Sequence, residues 1–181
     1  MIIEYSIEEK DFLEYQLYTA SKSDRIKAKR LRNKVVSPAI YIVGGFFLLL
    51  LNNYTLAITF FILGLLWFFI YPLWERQHYV KHYRSFIREN YKDKLGQPVT
   101  LELNNDHIIA RDNGSESKVM TKEVVEINET SATFYLKLKG GQSFIIPKDK
   151  IKTVDSLTNK LKELANFLSI KYNLDDSWAW R

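Results

Sequence analysis

Apolar residues recur in three different rhythms along the chain, and each rhythm predicts a different element. Residues 35–74 are apolar without any period. They read VVSPAIYIVGGFFLLLLNNYTLAITFFILGLLWFFIYPLW and contain no Asp, Glu, Lys or Arg. A bilayer core needs roughly 20 apolar residues per helix, so this block predicts two membrane spans, about 35–51 and 54–74. Asn52-Asn53 between them predicts a very short turn, because two adjacent amides are costly in hydrocarbon and natural at a turn. Pro38 fits a first helical turn with Ser37 as N-cap, and is also tolerated inside a membrane helix. Tyr41, Tyr54, Trp67, Tyr71 and Trp74 are expected toward the ends of the spans, as interfacial aromatics. Gly44-Gly45 and Gly64 offer places for the two helices to approach closely. The competing readings are a buried soluble hairpin and a re-entrant loop in place of the first span. The block starts too far in, and lacks the small-residue cleavage pattern, for a removable signal peptide.

On both sides the rhythm becomes helical. Residues 2–5 look like a strand. Ser6-x-x-Glu9 then has the form of a capping box, followed by Phe12, Leu13, Gln16, Leu17 and Ala20 at helical spacing. After Trp74, Tyr79, Tyr83, Ile87, Tyr91 and Leu95 recur every fourth residue, which predicts a separate helix over 75–96 stopped by Gly96 and Pro98. From Pro98 the period falls to two. Val99, Leu101 and Leu103 alternate with polar residues, and Asp112-Asn113-Gly114 and Gly140-Gly141 are hairpin signals. Five or six antiparallel strands are expected over 98–148. A last helix is expected over 149–168, with the stripe Ile151, Val154, Leu157, Leu161, Leu164 and Leu168.

The fold class that follows is an α+β membrane protein. A two-span transmembrane hairpin joins a cytoplasmic, strongly bent antiparallel sheet or half-barrel closed by a C-terminal helix. Its segments are 1–34, 35–74, 75–96, 97–170 and a tail, 171–181. The tail ends in Trp178-Ala179-Trp180-Arg181, either frayed or anchoring two exposed tryptophans at a membrane or partner.

Composition sharpens this picture through the placement of charge. The net +5 at pH 7 is not spread evenly. Residues 1–21 carry net −4, residues 22–34 net +6, residues 75–95 net +3, and residues 96–181 are neutral. The excess therefore flanks the uncharged block, and the positive-inside rule places both termini in the cytoplasm. Arg25, Lys27, Lys29, Arg30, Arg32, Lys34, Arg76, Lys81, Arg84 and Arg88 become candidate contacts for anionic lipid headgroups. The alternative is that these bases set topology alone. Charge packed against a membrane beside a neutral domain argues against nucleic acid.

The chain has no cysteine and three histidines, which excludes disulfides, thiolate metal sites and a cysteine nucleophile. Glu75-x-x-His78-x-x-x-His82 is the single metal-like spacing, since a helix would set all three on one face. The competing reading is an interfacial polar helix. Glu8, Glu9 and Asp11 read as a solvated helix start. Phosphate loops, nucleophile elbows and paired catalytic carboxylates do not appear, so neither enzyme activity nor a cofactor is expected.

Several of these features together resemble the bacterial YcxB-like family of small membrane proteins. They are the acidic, aromatic FLEYQLYTAS, the basic run, the two-span hairpin, and NGSESKVMTKEVVEINETSATFYLKLKGGQSFIIPKDKI with its Ile146-Pro147-Lys148. The resemblance implies a C-terminal domain of pleckstrin-homology-like form, with residues 2–5 available as an extra strand. It implies no catalytic residues. The expected function is a non-enzymatic protein of the bacterial inner membrane. It would present a small cytoplasmic interaction domain to an unidentified protein or to itself, with membrane lipids as its surroundings. An anionic-lipid sensor is the alternative, and a small membrane enzyme or metal protein the remote one.

Overall fold

The computed structural model describes residues 1–180. They divide into two compact units. Unit 1 holds residues 1–15 and 86–179, and unit 2 holds residues 16–85 with the chain end from Trp180.

Unit 1 is built from eight strands and a helix. The strands are β1 (Ile2–Ser6), β2 (Pro98–Leu103), β3 (His107–Asp112), β4 (Ser115–Met120), β5 (Val124–Thr130), β6 (Thr133–Leu138), β7 (Ser143–Pro147) and β8 (Lys171–Asp175). They form two four-stranded sheets, ordered β1-β2-β3-β4 and β7-β6-β5-β8. The single bent sheet expected from the sequence is thus replaced by two. The break falls at the 3-10 turn Thr121–Glu123, which carries the chain from β4 to β5. Residues 2–5 do supply a strand: β1 pairs with β2 antiparallel, Ile2 opposite Glu102. Gly114 and Gly141 take the positive φ that the β3–β4 and β6–β7 hairpins require.

The helix α4 (Val154–Leu168) starts later than the expected residue 149, because Lys148–Lys150 form a separate 3-10 turn. Leu157, Leu161, Leu164 and Ala165 face inward at i, i+4, i+7 and i+8. They meet Ile3, Leu101, Ile108, Ile127, Phe134, Leu136 and Ile146 in one core drawn from both sheets. Ser169 ends α4 in the left-handed region, its N–H donating to the Ala165 carbonyl. The chain then enters β8, which pairs parallel to β5. The sequence placed these residues in a tail. Their short polar alternation, KYNLD, gave no strand signal of its own.

α1 (Glu9–Lys22) begins without help from Ser6, which belongs to β1. Glu8 stands at the N-cap, and Asp11 closes the turn by accepting the Glu8 N–H at 2.8 Å. Its first turns, residues 9–15, belong to unit 1.

Unit 2 contains two long helices, α2 (Asp24–Leu50) and most of α3 (Tyr54–Asn90). Both carry a stretch long and apolar enough to cross a membrane, and only 11% and 17% of those stretches are buried. A helix in a soluble core would be mostly covered. The basic run and the first span are one helix, and the expected separate helix over 75–96 is the end of α3. Pro38 therefore lies inside α2 rather than at its start, which is instead capped by Ser23 accepting the Ile26 N–H. Between the helices Asn52 takes φ 57°, and Asn53 accepts the Leu56 N–H, so each amide does the work of a turn residue. Tyr41 lies along α2 against Gly64, where an added Cβ would stand 3.2 Å from the Tyr41 Cβ and 3.6 Å from the Pro38 carbonyl.

Two substitutions test these packings. Leu161→Ala removes a fully buried side chain from α4 and is expected to lower the unfolding free energy by about 2–5 kcal/mol in chemical denaturation. Gly64→Leu is expected to separate α2 from α3 and destabilise the pair by about 1–3 kcal/mol, read as a lower thermal midpoint in detergent. An unchanged midpoint would refute the close approach.

Candidate functional site

The ten bases singled out from the sequence are carried on two helices, α2 and α3, so helical phase decides what each can touch. On α2, Arg25, Lys29 and Arg32 follow i, i+4, i+7 and share one exposed face. Lys27, Arg30 and Lys34 share the opposite face. Lys27 pairs with Asp24 at 3.4 Å, and Lys34 lies over the Phe68 ring at 4.9 Å. On α3, Arg76, Lys81 and Arg84 are exposed. Arg88 is exposed too, but within unit 1 its Nε donates to Glu9 at 2.9 Å. Of the ten bases singled out from the sequence, Arg30 departs furthest from a lipid contact. It is turned inward.

Arg30 and Glu75 form the polar centre of unit 2. The Arg30 Nε donates to Glu75 Oε2 at 3.0 Å, with side-chain exposures of 24% and 8%. Tyr71 OH donates to the other carboxylate oxygen, also at 3.0 Å. Trp180 covers the guanidinium from 4.5 Å and stands edge-on to Tyr79 at 5.4 Å. Trp180 is only 7% exposed, so neither the frayed tail nor the exposed anchor describes it. The sequence signal that was available is the position of Glu75, the first charge after forty uncharged residues. A carboxylate at such a boundary needs a cation nearby.

The same geometry disperses the metal-like trio. Glu75 is held by Arg30 and Tyr71, His78 stacks on Trp74 at 5.1 Å, and His82 lies beside Tyr83 at 5.4 Å. Among the described residues no three His, Asp or Glu side chains gather as a metal would require.

Unit 1 holds a polar cluster that sequence reasoning missed. The start of α1 lies on the second sheet, where Tyr15 OH and Ser143 Oγ are 3.2 Å apart and the Tyr15 and Tyr135 rings are 5.6 Å apart. Thr130 Oγ1 donates to Glu14 Oε1 at 3.4 Å. Burial pushes the Glu14 and Asp11 carboxyls above their usual values. Asp11, read from sequence as solvated, is 4% exposed. Glu8 is held lower by its hydrogen bond and charge contact with Lys150, and Asp149 by Lys10. Nearby, Lys148 donates to Glu129 Oε1 at 2.7 Å and lies over the Phe134 ring, and Tyr172 donates to the same carboxylate. Lys148 is the base of the Ile-Pro-Lys element, and it ties the end of β7 across β6 to Glu129 on β5.

Fold and charge together define an α+β protein with a double-sheet domain, a pair of apolar helices, and cations clustered at their charged ends. Within that domain, residues 103–157 match the family model described as YcxB-like protein. This stretch, from the end of β2 to the first turn of α4, is a YcxB-like domain. The match is narrower than the resemblance read from the sequence, which ran over most of the chain. No curated protein and no solved structure matches the chain.

Two outcomes follow. Arg30→Ala or Glu75→Ala leaves one charge buried alone and is expected to cost about 3 kcal/mol, while the double substitution recovers much of it; a thermal-melt double-mutant cycle in detergent reads the coupling. Glu14 has a raised pKa in the fold, so its contribution is favourable while it is protonated. That contribution declines as pH rises from its ordinary 4.5 through the raised value. Glu14→Gln is expected to stabilise the protein at pH 7 and to lose that advantage at pH below 4.5, measured by parallel melts.

Proposed function

We propose that the chain is a non-enzymatic integral membrane protein. It holds its YcxB-like domain at the cytoplasmic face of a bacterial inner membrane and uses that domain to bind a protein or a second copy of itself. The observation that carries the reading is the apolar surface of α2 and α3, long enough to span and left mostly uncovered. The placement of charge supports the orientation. Seven bases lie in residues 22–34 just before the first apolar stretch, six follow the second before Gly96, and the connecting turn has none.

The order of elements supports a pleckstrin-homology-like domain. Four antiparallel strands are followed by three more and then by α4, with β8 added at the edge of the second sheet. Sheet edges are the natural contact surface of such a module. β4 is an edge strand whose side chains are largely exposed, including Met120.

A second reading, contact with anionic lipid, is favoured by the exposure of Arg25, Lys29, Arg32, Arg76 and Lys81. Each base near an anionic surface adds about 1 kcal/mol to its attraction.

Topology is tested with a phosphatase reporter that is active only outside the cytoplasm. It is expected to be inactive when fused after Arg181 and active when inserted between Asn52 and Asn53. Activity at the first position and not the second would reverse the orientation, and release of the chain by alkaline carbonate would remove the spanning helices.

A further inference from the structure

Leu73, Arg76, Gln77, Val80, Lys81 and Arg84 line one open groove on α3. Their spacing is i, i+3, i+4, i+7, i+8, i+11, so all six stand on a single face of the helix. The chemistry changes along that face. It begins at Leu73, in the last turn of the uncharged block, and Val80 adds an apolar residue about two turns further on. Between and beyond these two residues stand three cations. No carboxylate lines the groove. The adjacent acid, Glu75, is turned away to Arg30 and Tyr71. Arg76 and Lys81 are exposed and form no ion pair with a described residue.

We propose that this groove binds the headgroup of an anionic phospholipid. Arg76 presents a planar fork that matches the phosphate. Lys81 and Arg84 neutralise the remaining negative charge. Leu73, on the apolar side of the three cations, receives the first methylenes of the acyl chain, which is the contact that separates a lipid from free phosphate. The site rests on the lipid-contact reading above and makes it specific, because it assigns the preference to α3 rather than to every base near the membrane.

The test uses the full chain in nanodiscs of phosphatidylcholine with a minority of phosphatidylglycerol, and counts retained lipid by native mass spectrometry. The wild type is expected to retain phosphatidylglycerol over phosphatidylcholine by on the order of tenfold. Arg76→Gln/Lys81→Gln/Arg84→Gln is expected to lose that preference. Arg25→Gln/Lys29→Gln/Arg32→Gln, which removes an equal charge from α2, is expected to keep it. Arg76→Lys, which keeps the charge and removes the fork, is expected to weaken it several-fold, and helical circular dichroism confirms that each variant is folded. Inorganic phosphate at millimolar concentration is expected not to displace the lipid. Displacement by phosphate would make the groove a simple anion site. A preference that survives the α3 substitutions and disappears with the α2 ones would overturn the site while leaving the lipid reading intact. A wild type with no preference would overturn both.

Discussion

The apolar stretches of α2 and α3 are left mostly uncovered by the rest of the protein, and most of the other features answer to that constraint. Helices are the one way for such a segment to satisfy its own backbone without water. Two of them, joined by Asn52 and Asn53, fold back against each other as a hairpin. Glycines let the helices touch closely, with Gly44 and Gly45 facing the rings of Phe60 and Phe61. Charge is excluded from the whole stretch and returns abruptly at Lys34 and Glu75.

The returning charges divide their labour. Arg30 and Arg88 are engaged by carboxylates of the protein itself, Glu75 and Glu9, although Arg88 stays exposed. Arg30 is the clearer instance, because its carboxylate partner is almost fully buried and an aromatic ring closes over it. A buried ion pair contributes little net stability, yet losing one partner is costly. Such a pair fixes which residue of α2 faces which residue of α3. The remaining bases stay at the surface, where they interact with whatever lies there.

Much of this was legible in the sequence, and the reasons are specific. The apolar block, the Asn-Asn turn, the Asp112-Asn113-Gly114 hairpin and the α4 stripe are local patterns, and local patterns survive folding. What was not legible depends on contacts between distant residues. Nothing local in KYNLD marks β8, which is a strand because β5 offers it an edge. The division into two sheets turns on a three-residue 3-10 turn at Thr121–Glu123. The reading of Pro38 as a helix start failed because a membrane-type helix tolerates proline and Ser23 was the better cap. Arg30 looked like any other base of its run. Its inward role is set by Glu75, 45 residues later, and by Trp180 at the other end of the chain. The same holds for Glu14 and Asp11, whose burial comes from the β-sheet they meet and not from their neighbours in sequence.

β1 has a consequence for the order in which the molecule can be made. Met1 donates its terminal N–H to the Leu103 carbonyl, 102 residues away, and Ile3 and Tyr5 sit in the core that β2 helps to close. A ribosome adding roughly 5–20 residues per second needs on the order of ten seconds to travel from one strand to the other. Through that interval β1 is an unpaired strand with an apolar face, and both long helices emerge before its partner exists. The first sheet therefore closes only after both long helices have been made. Whatever α2 and α3 meet as they emerge, they meet while the domain is still open.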